Sequence, residues 1–419
     1  MGDTTKEITM PKKSLFLCGG AVREFLRNKS IKKYKLSTNA TPEQTAQILT
    51  AAEFAVEGDP EMDLSFKPKM AEQGDKKFWA VGERDTSKDR TPYSIIATVD
   101  GESFEIETFH KGPKGTNDKK VEFSDNPVVD SKGRDLTMNS LYIELSKSDG
   151  PNTKLYDPLG TGFHDIKQGV VKTNEDPMES FGQDKSRMLR AVRLHCRYGK
   201  GQLNEKIQKA IAKYKDMDGL PRSVIRDEFL QGLLHPDVDP RCFVGAYKRL
   251  GLLNGLFPGL EFDSPSGVPE EMTDQKDKAL ALAWLLQHNP VDKVEAALAS
   301  KCDVDGEEQD SGWCEDERRA VSFLLKLKEF NPKDLPRFAK ERDRAGLSKQ
   351  QMEDWVDMFN VKGTQRNRRP WWAKNVRKFA KHRKTLTWDD ALAAGKSELD
   401  GNPKDILDAM EIEKFQNDD

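Results

Sequence analysis

Two adjacent glycines lie between a short apolar run and a helical pattern near the N-terminus, in the segment Leu17-Cys18-Gly19-Gly20-Ala21-Val22. Glycines at such a turn let backbone amides approach a phosphate chain, and the start of the following helix favours negative charge. The same pattern is also typical of a tight connection between a strand and a helix. Taken alone, the turn leaves a phosphate contact and a simple connection both open.

A strongly basic block lies near the other end of the chain. Residues 362–384 contain ten Lys or Arg and no acidic residue, whereas residues 389–419 are acidic. Cations interleaved with aromatic rings can neutralise phosphates and stack on bases. The block therefore indicates RNA contacts through eight residues: Arg366, Arg368, Arg369, Trp371, Trp372, Lys374, Arg377 and Lys378. The alternative is a solvated helix with two buried tryptophans, because tryptophan is usually a core residue.

The elements that must position these groups change in type near residue 150. Before it, short alternating or apolar runs predict strands of one mixed sheet, at 14–18, 78–81, 93–99, 103–109 and 140–145, with helices at 22–27 and 41–54. The second of these helices is predicted to begin with a hydroxyl cap at Thr41 and a proline in its first turn. After it, helical periodicity recurs at 185–197, 204–214, 222–234, 242–253, 276–287, 291–299, 317–330 and 349–359. The sequence therefore predicts an α+β protein with a mixed-sheet head and an all-α remainder.

Length and composition limit the class of protein further. The chain has 419 residues, which is more than one compact core usually contains, and its 68 Lys and Arg nearly balance 71 Asp and Glu. No stretch reaches the roughly 18 apolar residues of a membrane span, and the N-terminus lacks the apolar block of a signal peptide. Five scattered cysteines predict reduced thiols. We therefore expect a cytoplasmic protein.

Six segments resemble, in the same order, motifs of the class II tRNA nucleotidyltransferases and bacterial poly(A) polymerases. They are 19–24, similar to Gly-Gly-x-Val-Arg-Asp, 36–44, 105–110, 134–141, similar to Arg-Asp-Phe-Thr-x-Asn-Ala-Leu, 155–166 and 184–193. The resemblance implies a nucleotidyltransferase-like head at 14–150, a helical neck at 151–220, a helical body at 221–345 and a helical tail at 346–419. It fades beyond about residue 235.

The resemblance also implies a set of nucleotide-binding residues: Gly19, Gly20, Arg23, Arg134, Asp135, Asp184, Arg187 and Arg190. Asp184 and Arg187, three residues apart on one helix face, would read the base, while Arg23 and Arg134 would hold phosphates. An ordinary ion pair is the alternative for Asp184 and Arg187. An active family member would use Mg²⁺ with ATP or CTP and act on RNA, with tRNA the expected partner.

One departure from the family concerns the metal ligands. Relatives have Asp-x-Asp where this chain has Lys33-Tyr34-Lys35, and only Glu105 stands at the place that resembles the third carboxylate. Lysine offers no acceptor to Mg²⁺ and repels it. Glu61 and Asp63 have suitable spacing to replace the aspartates, but that would need a shift in register against the match at 36–44.

Two functional hypotheses follow from this departure. In the first, the protein binds tRNA or another structured RNA, or a protein partner, and possesses little or no catalytic activity, with Lys33 and Lys35 replacing the charge of the metal. In the second, it is an active RNA 3′-end nucleotidyltransferase that adds CCA or A and uses displaced carboxylates. The residues favour the first as the present mechanism and the second as the ancestry.

Overall fold

In the computed structural model, residues 13–31, 33–52, 55–56, 77–81, 94–99, 102–112, 122–145, 154–262, 277–304, 307–309, 312–359 and 372–417 are described. Their contacts divide the chain into two compact units, Met1–Tyr214 and Lys215–Asp419. The first unit contains the sheet. The described part of the second unit has helices and one short hairpin as its regular structure. This arrangement confirms the predicted α+β class.

One mixed sheet organises the first unit. Its strands are β1 (Leu15–Cys18), β2 (Lys35–Thr38), β3 (Ala55–Val56), β4 (Lys77–Val81), β5 (Ser94–Val99), β6 (Glu102–Thr108), β9 (Tyr142–Leu145) and β10 (Leu155–Tyr156). They lie in the order β10-β9-β1-β2-β6-β5-β4-β3. The pairs β2–β6 and β3–β4 are parallel, and the other neighbours are antiparallel. All five predicted strands are present, with ends that differ by up to two residues.

Strand β2 is one of the elements that the sequence analysis did not predict. It has four residues, the first of them a lysine, which is too short for alternation to be recognised. In the sheet it lies between β1 and β6, and its register places Lys35 opposite Glu105 and Ser37 opposite Glu107. This register brings the predicted site residues together.

Helices cover and extend the sheet in the first unit. They are α1 (Gly20–Leu26), α2 (Pro42–Ala51), α3 (Pro127–Lys132), α4 (Gly162–Gln168), α5 (Pro177–Gln183), α6 (Ser186–Tyr198) and α7 (Glu205–Tyr214), and a separate hairpin pairs β7 (His110–Lys111) with β8 (Glu122–Phe123). The predicted cap at Thr41 is confirmed, because its side chain accepts a hydrogen bond from the Gln44 amide. Phe16, Phe109 and Tyr142 form the aromatic centre of the core beneath β1.

The described helices of the second unit are α8 (Arg222–Leu233), α9 (Pro240–Arg249), α10 (Leu252–Leu256), α11 (Lys278–Leu286), α12 (Val291–Ala299), α13 (Glu315–Lys326), α14 (Leu335–Ala345), α15 (Lys349–Asp357), α16 (Ala373–Lys381), α17 (Trp388–Ala393) and α18 (Pro403–Asn417). Cys302–Val304 pairs with Glu307–Gln309 as the hairpin β11–β12. One predicted helix was wrong: 242–253 is broken, since Gly251 adopts φ of +72° between α9 and α10. None of the described helices has the length and apolar character needed to cross a membrane.

Candidate nucleotide and RNA site

The centre of the candidate site is an ammonium group held between two carboxylates. The Nζ atom of Lys35 lies 3.4 Å from Glu105 Oε1 and 3.4 Å from Glu107 Oε2. The parallel register of β2 and β6 produces this contact, because Glu105 and Glu107 point to the same face of β6. Partial burial opposes the charge of Lys35, but the carboxylates of Glu107 and Glu105 outweigh it and raise the pKa of Lys35 above its ordinary value.

The carboxylates of this cluster differ in access to solvent. The side chain of Glu107 is 1% exposed and also lies 3.6 Å from Arg134 Nη2, whereas the side chains of Glu105 and Lys35 are 39% and 38% exposed. No group of three or more His, Cys, Asp or Glu with the geometry of a metal site occurs in the part of the chain that the structure describes. An ammonium already lies between the two carboxylates where a metal ion would have to bind, so these residues do not fit a two-metal site.

The Gly19-Gly20 turn lies against two buried guanidinium groups. Gly19 has φ of +65°, which side chains other than glycine rarely adopt. A Cβ atom on Gly19 would lie 3.6 Å from Arg134 Nη1, and one on Gly20 would lie 3.3 Å from Arg23 Nη2. The turn therefore lies close to two of the predicted phosphate-binding arginines, Arg23 and Arg134.

Arg134 is surrounded by acceptors from the protein itself. Its Nε donates to Asp130 Oδ2 at 3.2 Å and to the Tyr142 hydroxyl at 2.9 Å, and its Nη2 donates to Ser37 Oγ at 3.0 Å. Its side chain is almost fully buried. Holding a phosphate would require Arg134 to exchange these partners, so that role stays a prediction.

Asp135 connects the head to helix α6. Arg190 Nη1 donates to Asp135 Oδ2 at 2.7 Å, and Asn139 Nδ2 donates to Asp135 Oδ1 at 3.0 Å. Burial opposes the charge of Asp135, but Arg190 and these hydrogen bonds hold the pKa of Asp135 well below its ordinary value. Asn139 also accepts a hydrogen bond from Arg23 through its Oδ1, which links this group to helix α1.

A second connection between α1 and α6 was not expected from the sequence. Both oxygens of Glu24 accept hydrogen bonds from Arg197, at 3.1 and 2.9 Å, and Glu24 also accepts from the Tyr198 hydroxyl and Arg23. Burial raises the pKa of Glu24, but Tyr198, Arg23 and Arg197 together lower it below its ordinary value. The available signal was the spacing of Arg190 and Arg197, seven residues apart and so on one helix face.

Asp184 and Arg187 do not share a helix face, although Arg187 Nε lies 3.9 Å from Asp184 Oδ2, within the distance of the ion pair that the sequence left as the alternative. Asp184 precedes α6 with an extended backbone, and its side chain accepts a hydrogen bond from the Ser186 amide at 2.8 Å. Arg187 is 2% exposed and donates to the Gly133 carbonyl at 2.8 Å and to Ser180 Oγ at 3.1 Å. Burial lowers the pKa of Arg187. The structure thus makes Arg187 an internal tie between the head and α5–α6, and reading of a base by Arg187 stays a prediction.

The basic block is partly built into the second unit. Trp372 is only 6% exposed, with its ring 5.1 Å from that of Phe359, so the prediction that it stacks on RNA was wrong. Arg377 forms an ion pair with Asp357, and Lys378 Nζ lies 5.1 Å from the centre of the Phe415 ring. Lys374 is exposed. Four residues of the predicted interface fall outside the described residues: Arg366, Arg368, Arg369 and Trp371.

The mixed sheet with its Gly-Gly turn, followed by a helical array, resembles the fold of solved CCA-adding enzymes. The family described as Poly A polymerase head domain matches residues 57–172. The chain is 28% identical over 210 residues to a CCA-adding enzyme of Bacillus licheniformis, which covers 48% of this chain and 41% of that protein. It is 29% identical over 184 residues to poly(A) polymerase I of Escherichia coli O157:H7, covering 44% of this chain and 34% of that protein.

Solved structures give the same result over nearly the whole chain. A Bacillus stearothermophilus CCA-adding enzyme in complex with CTP superposes with a TM-score of 0.58 at 20% identity, covering 96% of this chain and 88% of that one. A Thermotoga maritima CCA-adding enzyme complexed with tRNA gives 0.56 at 15% identity, covering 97% and 88%. These matches confirm the predicted resemblance to the tRNA nucleotidyltransferase and poly(A) polymerase family. The two sequence matches given above span less than half the length of each relative.

Proposed function

We propose that this protein binds RNA, with tRNA or another structured RNA as the partner, and that it is catalytically impaired. The observation that carries the proposal is the Lys35 ammonium between Glu105 and Glu107. Two-metal transfer requires acidic oxygens to hold two divalent ions about 4 Å apart. Here one fixed ammonium pairs with both Glu105 and Glu107, and an ammonium cannot polarise an attacking hydroxyl.

Charge around the pair also opposes the entry of a divalent ion. Lys33 is exposed next to the strand, and Arg134 lies 3.6 Å from Glu107 on the buried side. A divalent ion would have to displace Lys35 and approach these cations in a medium of low dielectric constant. Phosphates, in contrast, are attracted by the same positive charges, and Arg190, whose side chain is about one-third exposed, is the α6 group best placed to meet a nucleotide.

RNA binding is supported by two further observations. The solved relative with bound tRNA superposes on 97% of this chain, and the basic block retains an exposed Lys374 next to the cation-rich sequence 360–371. Each phosphate neutralised by a cation releases counterions, so the affinity should fall steeply with salt. The proposal therefore makes a quantitative statement about the salt dependence of binding.

Fluorescence anisotropy with a labelled tRNA, measured over a series of salt concentrations, tests RNA binding. Changing Arg368, Arg369 and Lys374 together to Gln should weaken binding and lower the slope of log K against log salt by about 2 to 3. A matched triple change of exposed cations outside the block, Arg241, Arg319 and Arg337 to Gln, should leave the slope nearly unchanged. Equal slopes for the two triple variants would contradict a role for the block.

The second candidate function is an active nucleotidyltransferase that adds CCA or A from CTP or ATP with Mg²⁺. It is supported by the names of the matched relatives, and it requires Glu61 and Asp63, which lie outside the described residues, to take the place of the missing aspartates. An RNA extension assay separates the two functions, because only the second predicts addition by the unmodified chain.

A further inference from the structure

A lysine of the second unit lies in an aromatic cage, which we define as Trp284, Trp355 and Phe359. Lys328 is in the 3₁₀ turn Leu327–Glu329 that follows α13. Its Nζ atom is 4.9 Å from the centre of the Phe359 ring and 5.6 Å from that of Trp355, and it donates to Gln287 Oε1 at 3.1 Å. Trp284 packs against these two rings, with its ring centre 4.9 Å from that of Phe359 and 6.3 Å from that of Trp355.

No carboxylate among the described residues lies within ion-pair distance of Lys328 Nζ. The charged groups on the elements that pack around the cage have other partners or are exposed: Glu353 pairs with Lys349, Asp354 accepts from Gln350, Asp357 pairs with Arg377, and Glu329 and His288 are exposed. Residues 360–371, which follow the cage along the chain, contain no Asp or Glu. Lys328 thus differs from Lys326, which lies 3.0 Å from Glu295.

This environment changes the protonation of the amine. Rings attract an ammonium weakly, but burial without a counter-charge disfavours the charged form and lowers the pKa of Lys328 to about 8. A substantial fraction of neutral amine is then present near neutral pH, whereas an ordinary lysine has very little. Neutral lysine amines in such surroundings are nucleophiles.

We propose that Lys328 is an acylation site that reacts directly with activated acyl donors of the acyl phosphate class. The neutral amine attacks the carbonyl carbon, the new N–C bond forms as the C–O bond to phosphate breaks, and the amine proton passes to water as phosphate leaves. The product is a neutral amide whose N–H can still donate to Gln287 Oε1. Because the amide carries no charge, it removes the cost of keeping an ammonium in the cage.

Treatment of the full-length protein with acetyl phosphate, followed by mass spectrometry of peptides that separate Lys326 from Lys328, tests the proposal. At pH 8 we expect Lys328 to be acetylated at least about tenfold faster than Lys326, which has the same side chain but an acidic partner. The rate at Lys328 should rise with pH to a midpoint near 8. Equal rates at the two lysines, with a midpoint above 10 at both, would overturn the proposal.

Gln287→Glu is the matched variant. It places a carboxylate where the amide oxygen now accepts from Lys328, so the ammonium gains a partner. Acetylation of Lys328 at pH 8 should fall about tenfold to the level of Lys326, while Lys326 itself stays unchanged. If the variant left the rate at Lys328 unaltered, the environment of the amine would not control its reactivity. A melting curve of the variant checks its folding, and the pH profile of the unmodified protein stands independently.

Discussion

The paired strands β2 and β6 and the helix α6, all in the first unit, hold the motif residues of the candidate site in different ways. On the paired strands β2 and β6, Lys35 and Glu105 are more than one-third exposed, and their contact is long, at 3.4 Å. Along α6, the pairs of Asp135 with Arg190 and of Glu24 with Arg197 close at 2.7 and 2.9 Å, and three of these four side chains are nearly buried. The exposed part of the candidate site is therefore held by a long contact, and the buried part by short ones.

The buried contacts explain why these motifs can be recognised whatever residues occupy the exposed strands. Three motifs bind one another inside the fold: Arg23 of the first donates to Asn139 of the second, and Asp135 of the second accepts from Arg190 of the third. A buried network of this kind stabilises the head whether or not it catalyses a reaction. Its presence in a sequence is therefore evidence for the fold and not for the activity.

The largest effect is expected at Arg134. Arg134→Met should destabilise the protein by about 3 to 5 kcal/mol, because it removes a buried guanidinium from the carboxylates of Asp130 and Glu107, of which Glu107 keeps its contact with Lys35. Urea unfolding followed by circular dichroism measures the change. Arg241→Met, at an exposed position, is the control and should change the free energy of unfolding by less than about 0.5 kcal/mol. A loss of unfolding free energy as small at Arg134 as at the control would show that the buried network stabilises the protein no more than an exposed position does.

Arg187 tests whether the buried part also reads the nucleotide. Arg187→Ala should cost about 2 kcal/mol of stability, since it removes hydrogen bonds to the Gly133 carbonyl and to Ser180. The base-reading hypothesis expects instead that ATP or CTP binding weakens while the melting temperature stays the same. Calorimetric titration of both nucleotides, together with thermal melts of Arg187→Ala and Arg187→Lys, separates the two outcomes.

Acid should weaken the contacts along α6 in a defined pH range. The pKa of Glu24 is lowered in the folded protein, so its stabilising contribution is complete above the unfolded-state pKa of about 4.3 and is lost as the pH falls through the folded-state value. Glu24→Gln should therefore lose about 1 kcal/mol at pH 7, and its difference from the unmodified protein should shrink towards pH 3. A difference that is constant from pH 7 to pH 3 would show that the charge of Glu24 contributes nothing.

Local patterns predicted much of the fold and less of the site. Alternation located β5 and β6, and the cap at Thr41 located α2, because these signals depend on neighbouring residues. Strand β2 was too short to show such a pattern. The pairing of Glu24 with Arg197 joins residues 173 positions apart. The spacing of Arg197 from Arg190 indicates a shared helix face but does not identify the partner of either residue. Trp372 could not be assigned to the core or the surface until Phe359 was seen beside it.

Replacing Lys35 tests whether its ammonium keeps metal ions away from Glu105 and Glu107. Changing Lys33 and Lys35 together to Asp replaces the ammonium between Glu105 and Glu107 with carboxylate and should create binding of Mn²⁺, measurable by calorimetry. The double variant Lys33→Asn with Lys35→Asn removes the positive charges without adding carboxylates, so it should bind Mn²⁺ more weakly than the Asp variant. Equal Mn²⁺ affinity in the unmodified protein and the Asp variant would show that Lys35 does not block the carboxylates.

The most direct measurement of the central claim is extension of a radiolabelled tRNA by the purified, unmodified protein with ATP or CTP and Mg²⁺. The Lys35 ammonium between the two carboxylates predicts binding of the RNA without addition of a nucleotide. Robust addition that is abolished by Glu61→Gln with Asp63→Asn, and not by Lys35→Met, would contradict the claim and show that displaced carboxylates hold the metals.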